Sequence, residues 1–229
     1  MFYSFWDPTM LIILPGLVIA FLAQMRVNST FAKYGKIAAR SGYTGASMAR
    51  ALLNGAGLQD VAIARVRGSL TDNYDPAKRV LNLSESVYDS SSIAALGVAA
   101  HECGHALQDK ESYAPLKLRS VIVPTVNIGS NLSWPIFLIG LIFSWKPLLL
   151  VGIILFSLTV LFTLVTLPVE FNASRRATQA LASGGYLSQD ELTGAKSVLG
   201  AAAMTYVASA LNAILQLLRL LALSRRHDD

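Results

Sequence analysis

Long apolar stretches alternate with polar segments along this chain of 229 residues. Four stretches predict membrane helices, because about 20 apolar residues rising 1.5 Å each cross the hydrocarbon core of a bilayer. They cover residues 9–25, 121–143, 148–168 and 199–223. Only Trp145-Lys146-Pro147 and its neighbours separate the second stretch from the third, which predicts a tight helical hairpin. The pattern therefore predicts a mainly α membrane protein with about four transmembrane or membrane-inserted helices.

The fourth stretch carries polar residues at helical spacing, so they form a stripe down one face of the predicted helix. They are Thr205, Ser209, Asn212, Gln216 and Arg219. The stripe can face inward from a spanning helix and hydrogen-bond to its neighbours, or the helix can lie in the membrane interface. A spanning or deeply inserted helix with the stripe inward is the favoured interpretation.

Composition and charge agree with a membrane protein. Hydrophobic residues make up 53% of the chain and charged residues only 14%. Basic residues follow the first and third apolar stretches, which predicts an external N-terminus and cytoplasmic segments at 26–119 and 169–198. The net charge of +5 is then explained by topology and contact with anionic lipid, and nucleic-acid binding is not expected. The single cysteine, Cys103, allows no intramolecular disulfide, which is typical of a reducing compartment.

The cytoplasmic segment contains two stretches that read as β-strands, at residues 61–67 and 78–83. Turn-forming residues lie between them at 71–76, so we predict a β-hairpin. Its exposed edge can pair with an extended peptide, or the hairpin can simply cover the core, and both interpretations stay open. Fewer than about 100 soluble residues form only a modest core, so residues 1–229 are expected to fold as one integrated domain.

The motif with the clearest chemistry is His101-Glu102-Cys103-Gly104-His105. On a helix, the two histidines lie on one face and Glu102 lies at the edge of it. Two neutral imidazoles at this spacing can bind one Zn²⁺, and the glutamate can act on a water at the metal. The alternative is a helix whose polar residues only cap a surface patch. It is disfavoured because the small residues at 93–100 predict a buried helix, where unpartnered His and Glu would be costly.

A catalytic zinc site normally takes a third protein ligand, and Glu170 is the favoured candidate. It follows Pro168 at the end of the third apolar stretch, where a carboxylate needs a functional or structural reason. The alternative is that Glu170 pairs with Arg175 or Arg176 at the lipid headgroups. The remaining acidic and histidine candidates are disfavoured by their positions: Asp109 and Glu111 near the motif helix, Asp190 and Glu191 in a predicted helix cap, and His227, Asp228 and Asp229 in the C-terminal tail.

With these residues in view, the chain resembles the proposed neutral zinc metallopeptidases of bacterial membranes, a gluzincin-type group with largely undefined substrates. The resemblance covers nearly the whole chain and rests on residues 70–76, 99–108, 166–177 and 201–208. It implies that His101, His105 and Glu170 bind one zinc ion, that Glu102 is the catalytic carboxylate, and that the protein lies in the bacterial inner membrane.

Two residues depart from the family pattern. Asn73 stands where the pattern usually has His, and Asn172 stands where it usually has Asp. If that Asp supports a metal ligand, Asn172 is expected to orient the same ligand with weaker charge support.

The expected reaction is endopeptidase hydrolysis at the cytoplasmic membrane face. Glu102 takes a proton from a zinc-bound water and passes it to the leaving amine. A second donor to the oxyanion is needed, and Tyr206, Arg175 and Arg219 are the candidates. The expected partners are a peptide or membrane-protein substrate and the lipid bilayer, with an oligomer or partner protein left open.

Two other functions compete with a cytoplasmic-face endopeptidase. An intramembrane protease is disfavoured because only about eight apolar residues precede His101. A non-catalytic adaptor with a structural zinc is disfavoured because such a site does not need Glu102 and usually fills its fourth position with a protein ligand.

Overall fold

A computed structural model describes residues 7–226, so the tail residues His227, Asp228 and Asp229 lie outside the described part. In chain order the elements are α1 (Met10–Tyr34), α2 (Gly45–Gly55), β1 (Ala62–Val66), β2 (Asn73–Asp75), β3 (Val80–Ser84), α3 (Glu85–Tyr88), α4 (Ile93–Lys110), α5 (Ala114–Ile142), α6 (Lys146–Ser183) and α7 (Gln189–Arg226). They form two compact units. The described part of the first comprises residues 7–23, 118–167 and 205–226, and the second comprises 24–117 and 168–204.

Four helices, α1, α5, α6 and α7, are long and apolar enough to cross a membrane, which confirms the predicted mainly α membrane fold. The motif helix α4 is not one of these four. Each helix extends beyond its predicted apolar stretch. The longest two, α6 and α7, contain 38 residues each, and at 1.5 Å per residue this is roughly 57 Å, well beyond the bilayer core. Pro168 lies inside α6 and does not end it.

In the first unit, α5 and α6 form the predicted tight hairpin. The short connection between Ile142 and Lys146 includes Ser144, which adopts a left-handed backbone conformation with φ 52°. The helices then approach so closely that a Cβ at Gly152 would lie 2.9 Å from the Cα of Phe137. Phe137 is fully buried in a cluster with Leu149 and other apolar side chains of α6 and α7.

In the first unit, the polar stripe of α7 contacts α1 at one point and the residues just before α1 at another. A Cβ at Gly16 of α1 would collide with the side-chain amide of Asn212, so the two helices are in direct contact there. Further along α7, Arg219 Nη2 lies 3.2 Å from Asp7 Oδ2 and its Nε donates to Thr9 Oγ1 at 3.3 Å. Two members of the stripe therefore point inward, whereas Ser209 is exposed.

The sheet of the second unit corrects the predicted hairpin. Its strand order is β1-β3-β2, and the two strands expected to form the hairpin, β1 and β3, pair in parallel. The hairpin before α4 consists of β2 and β3, with Tyr74 opposite Leu81. The residues predicted as a turn contain the short strand β2. The chain therefore reverses twice between β1 and β3, which restores the original direction.

The helix α4 lies in the middle of the second unit. Ser92 caps its N-terminus by accepting a hydrogen bond from the Ala95 amide. One side of α4 packs through Leu96 and Ala100 against α6 and α7, and another side packs through Ala99 against α2 and the sheet. Small residues on α4 allow this close packing, so the motif begins within a buried part of the helix.

Candidate metal centre

The structure brings three of the predicted site residues together. His101 and His105 lie one turn apart on α4, and Glu170 approaches them from α6. Glu170 Oε2 is 3.2 Å from His101 Nε2 and 3.5 Å from His105 Nε2. The donor atoms of all three residues lie within 4.8 Å of one another, and Glu170 is only 2% exposed. The group is therefore a largely buried cluster of two imidazoles and one carboxylate.

This donor set fits a zinc ion. Zinc binds His nitrogen and carboxylate oxygen at about 2.0–2.2 Å, and tetrahedral geometry then separates two donors by roughly 3.4 Å. The two nitrogen–oxygen distances bracket that separation. Two histidines and one glutamate also match a common set of catalytic zinc ligands, which leaves a coordination position for water.

Each imidazole has a partner at its other ring nitrogen. His101 Nδ1 lies 3.1 Å from Ser174 Oγ, and His105 Nδ1 lies 3.0 Å from Gln108 Oε1. The sequence interpretation did not predict that either residue would be a hydrogen-bond partner of a ligand. The available signal was spacing, because Gln108 lies three residues after His105 and Ser174 lies four residues after Glu170, each on the same helix face as the ligand.

Asn172 does not touch a proposed ligand directly. Its Oδ1 accepts hydrogen bonds from Gln108 Nε2 at 3.0 Å and from Arg176 Nε at 2.7 Å. Arg176 also donates to Glu111 Oε2 at 2.7 Å. Arg175 and Arg176 were the alternative partners of Glu170 at the headgroups. In the structure Arg176 hydrogen-bonds to Asn172, and Arg175 is exposed.

Glu102 is 7% exposed, and burial raises the pKa of its carboxyl group although the two nearby imidazoles oppose the shift. A raised pKa makes a carboxylate a better proton acceptor near neutral pH. For His105, burial alone lowers the pKa, but the hydrogen bond and charge of Glu170, with the charge of Glu102, raise it overall. A bound cation would balance the negative charge of the same two carboxylates, Glu170 and Glu102.

The neighbouring Cys103 serves packing. It is 2% exposed, burial raises the pKa of its thiol, and its Sγ contacts the carbonyl oxygen of Ala49 at 3.7 Å. It thus belongs to the side of α4 that faces α2.

Two of the oxyanion candidates belong to the first unit. Tyr206 is half-buried, and Arg219 pairs with Asp7. Among the disfavoured acids, Asp109 accepts from Tyr74 at 2.9 Å and Glu191 accepts from the Ser188 amide at 2.8 Å as part of the cap of α7.

The approach of α4 to α6 depends on Gly104. A Cβ at this position would lie 2.5 Å from the carbonyl oxygen of Ala173, a backbone atom that has little freedom to move. We expect Gly104→Ala to force the two helices apart, to lower the free energy of unfolding by about 1–3 kcal/mol and to weaken zinc binding. Gly97→Ala on the same helix is the control, because its Cβ would meet Ala195 Cβ at an ordinary 3.5 Å. Denaturant unfolding and zinc titration of both variants test this. Equal zinc affinity in the two would contradict it.

Comparison with known proteins agrees with the geometry. The chain belongs to the family described as putative neutral zinc metallopeptidases, whose model matches residues 9–225. It is similar to a curated relative, the putative membrane protease YugP of Bacillus subtilis strain 168. The two are 52% identical over 204 residues, which cover 89% of this chain and 91% of the relative. No solved structure matches the chain.

Proposed function

We propose that this protein is a membrane-embedded zinc endopeptidase in which His101, His105 and Glu170 bind one zinc ion. The observation that carries the proposal is the approach of Glu170 Oε2 to the two imidazole nitrogens, at 3.2 and 3.5 Å, which is close to the separation of two ligands on one zinc ion. A zinc ion bound there would polarise a water molecule and the scissile carbonyl group.

The protein residues supply the proton transfers. Glu102 follows the first ligand on α4, is nearly buried and has a raised pKa, so it is suited to take the proton of the attacking water. It then delivers that proton to the leaving amine. Tyr206 and Arg175 remain candidates for a second donor to the oxyanion. Arg219 is a weaker candidate because Asp7 and Thr9 already engage its guanidinium group.

An extended peptide is the substrate form that the second unit favours. The strand order leaves β2 at an edge of the sheet, where its outer backbone groups can pair with another strand. Tyr74 of β2 donates to Asp109 of α4 at 2.9 Å, which holds this edge beside the motif helix. We therefore favour substrate pairing with β2 over a sheet that only covers the core.

The proposed location is the bacterial inner membrane, with the metal centre at the cytoplasmic face and several spans crossing the bilayer. Four apolar helices support membrane insertion. Arg26, Lys33 and Lys36, after the predicted first span, support a cytoplasmic second unit by the positive-inside rule.

Removal of the metal tests the proposed function. Full-length protein purified in detergent should contain about one zinc per chain and should cleave casein or an unfolded membrane protein. A strong chelator should remove the zinc and abolish cleavage, and added zinc should restore it. Cleavage that persists after complete metal removal would exclude a zinc peptidase. Tightly bound zinc with no cleavage of either substrate would instead favour the adaptor with a structural metal.

A further inference from the structure

Gln108 is a completely buried polar residue in the helix that carries the two histidines. Its side-chain amide makes three hydrogen bonds. Oε1 lies 3.0 Å from His105 Nδ1, while Nε2 lies 2.8 Å from the carbonyl oxygen of Val169 and 3.0 Å from Asn172 Oδ1. Because the last two partners belong to α6, this one amide joins both helices that supply the proposed zinc ligands.

The partners determine which way the amide points. The backbone carbonyl of Val169 can only accept a hydrogen bond, so the nitrogen of Gln108 must face it. The guanidinium group of Arg176 can only donate, and it lies 2.7 Å from Asn172, so Asn172 must present its oxygen. That oxygen again requires the nitrogen of Gln108. Two separate partners therefore exclude the flipped orientation of the amide. The shape of the side chain alone does not distinguish the two orientations.

The orientation of Gln108 in turn selects the form of His105. With Oε1 facing the imidazole, Nδ1 must carry the proton, because an amide oxygen only accepts. In the neutral ring the lone pair then lies on Nε2, the nitrogen that faces Glu170 Oε2. We propose that Gln108 is a positioning residue that holds His105 in its metal-binding tautomer and orientation through the chain Arg176–Asn172–Gln108–His105. This inference rests on the proposed zinc site.

His101 has a less directional partner. Its Nδ1 faces the hydroxyl group of Ser174, which can donate or accept and therefore selects neither tautomer. Ser174 is also only partly buried, so water can replace its hydroxyl group. Gln108 is fully buried, so water cannot readily replace its amide. Its loss would therefore leave His105 Nδ1 without a hydrogen-bond partner.

The first test compares zinc dissociation constants, measured by chelator competition on the full-length protein in detergent. We expect Gln108→Leu to weaken zinc binding by about 10–100-fold, the usual effect of removing the partner of a ligating histidine. Ser174→Ala should weaken it by less. Asn172→Asp should bind zinc at least as tightly as the wild type, because a carboxylate still accepts from both Gln108 and Arg176. Equal affinities of the wild type and Gln108→Leu would overturn the role of Gln108.

The second test uses the wild type and does not depend on the folding of a variant. The chain contains three histidines, so ¹⁵N-histidine labelling yields few imidazole signals. In the zinc-loaded protein, His105 should bind the metal through Nε2 and carry a slowly exchanging proton on Nδ1. Metal binding through Nδ1, or rapid exchange of that proton with water, would contradict the inference. A wild type that binds no zinc would instead overturn the proposed function, and this inference with it.

Discussion

The substitution Glu102→Gln should abolish peptide hydrolysis and leave zinc binding almost unchanged. Glutamine keeps the size of the side chain but has no basic oxygen for the proton of the attacking water. General base catalysis contributes about 10²–10⁴-fold to the rate of hydrolysis, so the turnover number should fall by a factor at least as large. Zinc should remain bound because the proposed ligands, His101, His105 and Glu170, are intact. Zinc content and casein cleavage, measured on the same protein preparation, check both parts.

Glu85→Gln is a matched control, since it makes the same chemical change at an exposed residue of α3. Hydrolysis should be unaffected there. If Glu102→Gln still cleaved casein at the wild-type rate, another residue would have to act as the base.

Substitution of Glu170, unlike that of Glu102, should weaken the binding of zinc. Glu170→Gln replaces the carboxylate that lies between the two imidazoles by a neutral amide, which is a poor zinc ligand. We expect the affinity for zinc to fall by more than the roughly 10–100-fold that a supporting residue contributes, and hydrolysis to be lost with the metal. Chelator competition and metal analysis measure this effect.

Glu191→Gln is the control for burial. Glu191 is another buried carboxylate of the second unit, 7% exposed, but it caps α7 and accepts from the amides of Arg40 and Ser188. Its substitution should lower the free energy of unfolding while zinc affinity stays near the wild-type value. If Glu170→Gln bound zinc as tightly as Glu191→Gln, the third ligand would have to lie elsewhere.

Local patterns were sufficient to predict the helices and the motif. Apolar runs of the right length predicted the four long helices, because backbone polar groups in lipid must hydrogen-bond within the protein, which leaves little choice of structure. The spacing of His101 and His105 predicted a shared helix face for a similar reason, since the period of the helix is fixed. The start of α4 also follows a local rule, because Ser92 caps it and serine is among the preferred N-cap residues.

Strand pairing was harder to predict. The two recognisable strands were expected to form a hairpin, but the short strand β2 lies between them and makes them parallel. Its three residues, Asn73–Asp75, carry typical turn chemistry and are too few to establish an alternation of apolar and polar positions. Pairing with β3 and the contact between Tyr74 and Asp109 stabilise this strand, and Asp109 lies outside any local window of sequence.

The sequence by itself determined the membrane character of the chain, the helix that carries the motif and the types of side chain available to bind a metal, because each depends on local periodicity or composition. The sequence favoured Glu170 as the third ligand, but only the tertiary structure brought this carboxylate to the imidazoles and decided which groups orient them. Gly104 lets α6 approach α4, and Gln108 then bonds to Val169 and Asn172, some 60 residues away in the chain. Such contacts depend on how two helices pack, and helical periodicity specifies a face of each helix without specifying the partner of that face.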